Sequence, residues 1–180
     1  MLKFIAVLGF FLFSEIAIGL PRFADKSPEY LAARQAIAKV ESAENPCAKN
    51  PTTSASGKYQ FMKMWNRFFQ ANYGRTWASV VPSCKAAKAV KDKMARFQDE
   101  MFDVYYNLKV APWIFGIRGK VKGWSDIELL ALYHRQGEGG AMKYIRTGED
   151  FANGKWGNGH VSKHIARVVR YSQANLIAMR

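Results

Sequence analysis

Apolar side chains recur every three to four residues over most of this chain, and no convincing stretch alternates with period two. That spacing predicts helices, because positions three and four apart share one helix face. Ser27 before Pro28 reads as a cap with a helix-opening proline. The first helix should run from about Pro28 to Ser42, with Leu31, Ala33, Ile37, Val40 and Glu41 near one side, and Asn45-Pro46 should break it. Residues 46–57 are rich in Asn, Pro, Thr, Ser and Gly and read as loop. A second helical stretch is expected from Tyr59 to Tyr73 through Phe61, Trp65, Phe68 and Phe69, ended by Gly74, with a short connector from Trp77 to Pro82. Residues 83–109 read as one long helix whose inward stripe is Ala87, Val90, Met94, Phe97, Met101, Val104 and Leu108. Pro112 to Gly123 reads as a break. Ser125 should cap a helix through Leu129, Leu130 and Tyr133, interrupted by Gly137, Gly139 and Gly140 and resumed as a short helix over Ala141–Arg146. Asn153–Gly159 reads as a glycine-rich turn, and His160–Met179 as a final helix. The fold class is therefore mainly α.

The first twenty residues change the picture of where this domain works. Lys3 is followed by the apolar run Phe4–Phe13, which Ile16–Leu20 extends, and Ala17-x-Gly19 has the small-x-small form of a signal-peptidase site. Spanning a bilayer would require accepting Glu15 in a run of about seventeen residues, which is marginal for the hydrocarbon core. Residues 1–20 are thus expected to be a signal peptide or a membrane anchor forming an N-terminal hydrophobic helix, with 21–27 a linker and 28–180 one compact domain. Either reading takes the body of the protein out of the cytoplasm. Cys47 and Cys84, an even pair in an exported chain, suggest one disulfide. Two buried free thiols is the alternative.

The net charge of +13 over 180 residues suits association with a polyanion: nucleic acid, an anionic membrane or an acidic cell envelope. Its densest runs are Lys85, Lys88, Lys91 and Lys93, read as a solvated helix face, and Arg118, Lys120 and Lys122. No base-reading motif accompanies the charge, so no specific nucleic-acid partner is expected. Neither a metal nor a cofactor is expected. His160 and His164 are four apart but lack a third ligand, and they read as helix-surface histidines.

The chemistry centres on Glu41. It closes an apolar helical stretch, beside the buried stripe and at the helix end where an acid opposes the macrodipole. A carboxyl held against apolar neighbours resists ionising, and a protonated carboxyl can deliver a proton to a glycosidic oxygen. Sugars present flat apolar faces and many hydroxyls, so a cleft for them needs aromatic platforms beside amides and hydroxyls. Tyr59, Tyr133, Trp113 and Trp156 are candidate platforms.

Glu41-Ser42, then Asn45-Pro46, then Ser54-Ala55-Ser56-Gly57-Lys58-Tyr59-Gln60 resemble the lytic transglycosylases of the lysozyme-like superfamily, of the kind found in phage virions and secretion systems. Ala131-Leu132-Tyr133-His134 resembles that family's Ala-x-Tyr-Asn motif with His134 in place of asparagine, and Gly137-Glu138-Gly139-Gly140 follows as a glycine-rich turn does there. The likeness covers roughly residues 30–145. It implies Glu41 as the single acid/base and Ser42 as a group orienting the substrate or the glutamate. It implies Gly57 as a point of close backbone approach to the sugar, Tyr59 as an apolar wall, and Ser54 and Gln60 as polar contacts. Tyr133 would hydrogen-bond near Glu41, with His134 beside it. The implied substrate is the peptidoglycan glycan strand, cut between N-acetylmuramic acid and N-acetylglucosamine to leave a 1,6-anhydro product. Other virion or secretion-apparatus proteins are further implied partners.

Other classes stay open at this level. A second carboxylate would make the reaction hydrolytic, as in a muramidase. Glu138 is the foremost candidate, ahead of Glu44, Asp99 and Glu100. A peptidoglycan endopeptidase, a basic binding protein and a non-catalytic virion subunit on the same scaffold are the remaining readings.

Overall fold

The computed structural model describes residues 27–148 and 160–179, and among these the fold is mainly α, with isolated bridges in place of strands. The expected hydrophobic leader, the linker up to residue 26, the glycine-rich turn at 153–159 and Trp156 lie outside the described residues. Among the described residues, no helix is long and apolar enough to cross a membrane.

Helix α1 spans Pro28–Ser42. The Ser27 side chain accepts from Tyr30 N at 3.2 Å, and Pro28 needs no backbone donor in the first turn. Ala43 closes the helix in the left-handed conformation, its N–H reaching back to Lys39 O at 3.1 Å. Tyr30, Ala32, Ala33, Ala36, Ile37 and Ala38 are buried, and the run of alanines lets a neighbouring helix come close. That neighbour is α6, His160–Ala178, which packs on α1 more extensively than any other pair of elements. Helix α5, Asp126–Thr147, packs on α6 in turn. It opens with a capping box in which Ser125 and Glu128 each bond the other's backbone N–H.

Three sequence expectations are corrected. The stretch 59–73 is helical only from a 3₁₀ turn at Lys63–Trp65 into α2, Asn66–Tyr73. Tyr59, Gln60 and Phe61 instead form a tight turn whose outer ladder is Ser56 N to Phe61 O, 3.2 Å. Helix α3 runs Lys88–Tyr105, passes into a π-helical segment at Tyr106–Val110, and continues as α4, Ala111–Ile117. Pro112 therefore sits in the first turn of α4 and does not break the chain. Gln98, Met101, Phe102, Tyr105, Tyr106 and Val110 are buried, while Ala87, Val90 and Leu108, expected inside, are exposed. Ala87 and Val90 lie at the start of α3, and Leu108 lies within the π segment, whose wider turn departs from the 3.6-residue spacing. Finally, the glycines after Tyr133 kink α5 without ending it, through Gly137, whose positive φ of 65° glycine alone adopts readily.

One aromatic cluster ties the halves together. Phe61 lies within ring-contact distance of Trp65, Phe69, Trp77, Phe102, Tyr105 and His134. Cys47 and Cys84 form a disulfide that joins the loop after α1 to the segment before α3.

Candidate active site

Glu41 sits on the last turn of α1 with its side chain only 10% exposed, at one wall of a cleft of about 560 Å³. The opposite walls come from the loop through Asn50, Thr53 and Ala55, from the turn and 3₁₀ segment carrying Gln60, Phe61, Met62, Met64 and Trp65, from Tyr105 on α3, and from Tyr133, His134, Arg135, Gln136 and Gly137 on α5. Apolar and aromatic surface thus faces amides, a hydroxyl and one guanidinium, a composition that suits a carbohydrate. Glu41 is the only carboxylate among the described lining residues.

Burial pushes the Glu41 carboxyl above its ordinary value, and the positive charges of Arg135 and Arg167 pull the other way. Neither arginine forms an ion pair with it, and no described residue donates it a hydrogen bond. Its nearest charged-type neighbour is His164 on α6, with Nε2 3.7 Å from Oε1. This is not an ion pair. Burial, reinforced by His134, Arg135, His160 and Arg167, lowers His164 to about 3, so the imidazole is neutral. His134 is lowered to about 4, chiefly by burial, and its Nε2 lies 3.0 Å from Tyr59 O. A carbonyl only accepts, so Nε2 of His134 carries the proton and Nδ1 is left buried without a partner.

Of the residues expected from sequence, Glu41, Gln60, Tyr133 and His134 meet in the cleft. Gln60 adopts a left-handed φ of 51°, strained for a side chain with a Cβ, and its Nε2 donates to Gly57 O at 2.9 Å. Tyr133 packs on Trp113 at 5.0 Å and is 5% exposed. Burial, and after it the charge of Glu138, raises its phenol.

The others take different places. Ser42 Oγ donates to Lys58 O at 2.8 Å and so latches the loop onto α1, away from the cleft lining. Ser54 accepts from Lys63 N at 3.2 Å and lines a neighbouring hollow. Gly57 has φ 74°, and a Cβ there would lie 2.7 Å from both Gln98 Oε1 and Trp77 Cζ2. Its lack of a side chain therefore serves core packing and not a sugar. Tyr59 is 1% exposed, stacked near Phe102 with its hydroxyl donating to Asp99 at 2.7 Å, so it is core and not cleft wall. Trp113 is likewise buried behind Tyr133. Glu138 is exposed and does not line the cleft, Glu44 is exposed, Asp99 is held by Lys58, and Glu100 is hydrogen-bonded by Tyr73.

Residues that the sequence reading missed complete the site. Trp65, Met62, Met64, Asn50 and Arg135 line it. His164 is 6% exposed, not a surface histidine. Its spacing carried the signal, since Val161, Ile165 and Val168 mark the buried face that it shares. Gln98, fully buried, accepts from Lys58 N at 2.7 Å and donates to Pro46 O at 2.9 Å and Val80 O at 2.8 Å, so one amide fixes three loops beneath the cleft. No protein-family model matches this chain, and no curated protein or solved structure matches it.

Proposed function

We propose that this chain is a peptidoglycan lytic transglycosylase on a lysozyme-like fold. It would cleave the β-1,4 bond between N-acetylmuramic acid and N-acetylglucosamine. The observation that carries the reading is a buried, unpaired Glu41 standing alone as the carboxylate of an aromatic and amide-lined cleft. A carboxyl raised by burial keeps its proton to a higher pH than an exposed one, and the protonated form can pass it to the glycosidic oxygen as the bond to the anomeric carbon breaks. With no second acid in the described lining to activate water, the substrate's own 6-hydroxyl is the available nucleophile, and Glu41 takes its proton as the 1,6-anhydro ring closes. Trp65 and Tyr133 offer faces for sugar rings, and Asn50, Gln60 and Gln136 offer amides for hydroxyls and acetamido groups. The charge of +13 would hold the protein on an acidic envelope or membrane surface. An exported protein in a virion or secretion apparatus, opening the wall locally, fits the leader expected from the sequence and the charge.

Digestion of purified peptidoglycan by wild type and Glu41→Gln, read by mass spectrometry of the muropeptides, tests this. Anhydro-muramyl products from wild type and none from the variant are expected. Hydrated reducing ends would instead make this a muramidase. Cut peptide stems on intact glycan would make it an endopeptidase, and binding without cleavage a basic wall-binding protein.

A further inference from the structure

Two polar groups, Glu41 on the cleft wall and His164 behind it, face each other without a hydrogen bond to any described residue. Glu41 accepts no hydrogen bond from any described residue. His164 Nε2 is buried, has no partner, and lies 3.7 Å from Glu41 Oε1. Leaving Nε2 of His164 unpaired costs its lost hydration, so an interaction with Glu41 is favoured. The gap is roughly 0.5–1 Å longer than a hydrogen bond, within reach of a small side-chain adjustment. Catalytic hydrogen bonds are often long before substrate binds.

We propose that His164 is a positioning residue for Glu41: its Nε2–H donates to Glu41 Oε1, which leaves Oε2 as the oxygen that delivers the proton. The proposal rests on Glu41 being the acid/base of the preceding reading. In the first step the Oε2 proton moves to the glycosidic oxygen, which takes the electron pair of the breaking bond. In the second the carboxylate recovers a proton from the 6-hydroxyl as that oxygen bonds to the anomeric carbon. His164 gives up no proton in either step. Its donated hydrogen bond strengthens when Glu41 is charged, holding the carboxylate in place between the two steps. The charged and titratable groups around the pair are His160 and Arg167 on α6, His134 and Arg135 on α5, and Glu41 itself on α1. With four cationic or potentially cationic groups nearby, a neutral His164 is the form that stays compatible with the site, and a neutral donor is what the proposal needs.

The test compares pH–rate profiles of wild type, His164→Phe and His164→Gln on peptidoglycan, together with the ring ¹⁵N shifts of His164 in wild-type protein. Phenylalanine keeps the ring and removes the donor, and glutamine keeps an N–H. The ionised form of Glu41 loses its donor in His164→Phe, so the alkaline limb moves up by about one pH unit, a tenfold change in the ionisation constant. We expect kcat to fall about tenfold with KM unchanged, and His164→Gln to recover most of both. Wild-type His164 is expected as the neutral Nε2–H tautomer at pH 7. A profile for His164→Phe that superimposes on wild type, or an Nδ1–H tautomer in wild type, overturns the proposal, and the tautomer reading stands even if the variants fold poorly. Should Glu41→Gln be inactive while His164→Phe is unchanged, the positioning role alone falls. An active Glu41→Gln brings down the functional reading beneath it.

Discussion

Helix α3 and the end of α1 each place acids at the edge of the same core, and the molecule treats them in opposite ways. On α3, Asp103 accepts from Arg34 at 2.7 and 2.9 Å and from the Tyr30 hydroxyl at 2.6 Å, while Asp99 accepts from Lys58 at 2.6 Å and the Tyr59 hydroxyl at 2.7 Å. Each carboxylate has a cation and a phenol in place, the arrangement that lets a partly buried charge remain. Glu41 is more deeply buried than either and has neither a cation in contact nor a donor. The difference separates acids that hold structure from the one proposed to exchange a proton. Folding alone gives no reason to leave Glu41 unpaired.

Exchanging the acids for their amides breaks or sharpens that contrast. Glu41→Gln should lower wall cleavage by at least about 10²- to 10⁴-fold, read by turbidity loss of peptidoglycan. Its stability should not fall. Glu41 has a folded pKa above its ordinary value, so the stability it contributes is lost as pH rises through that range, and a neutral amide removes the penalty at pH 7. A folded variant that still clears the wall at wild-type rate would falsify the assignment.

Next in size is a pH effect from the two histidines behind the site. Their folded values of about 4 for His134 and about 3 for His164 lie below the ordinary 6.5, so the unfolded chain takes up protons first. Stability is therefore full above pH 6.5 and drains as pH falls toward those values, by up to about 1.4 kcal/mol per pH unit for each histidine. Urea midpoints at pH 7 and pH 5 measure this, and His164→Phe should flatten the decline. An equal slope in that variant would place the acid sensitivity elsewhere.

Asp103→Asn should cost about 1.5–3 kcal/mol of stability, the range for a hydrogen bond to a charged group, while the cleavage rate per folded molecule stays level. A large loss of activity without loss of stability would erase the distinction between the two kinds of acid. The smallest effect is expected for Tyr133→Phe. Its hydroxyl has no hydrogen-bond partner among the described residues, so stability should shift by no more than about 1 kcal/mol while the rate falls. Thermal melts and initial rates on one preparation separate the two outcomes, and a destabilised variant with full activity would make Tyr133 a core residue only.

Local signals explain what was readable beforehand. Ser27-Pro28, Ser125 and Gly74 are cap chemistry, which neighbouring residues alone decide, and each marks the helix end expected of it, although the helices at Gly74 and Ser125 differ from expectation at their other ends. Glu41 stood out because an acid on an apolar stripe at a helix end breaks two local rules at once. The motif after it was legible as a motif but not as geometry: only Gln60 of Ser54, Gly57, Tyr59 and Gln60 lines the cleft. Tyr59 and Gly57 are turned inward by contacts with residues about forty positions away, Asp99 and Gln98, which no local pattern announces.

The helix caps and the mainly α class were decided by the chain itself, because each depends on residues within a turn or two, and the candidacy of Glu41 rests on the same local signals. Tertiary structure decided that α6 brings His164 against Glu41, that Tyr59 turns into the core, and that one buried glutamine holds three loops beneath the cleft. Those facts arise from packing between segments distant in sequence. There, burial and unmet hydrogen bonds are properties of the assembled neighbours and not of any residue alone.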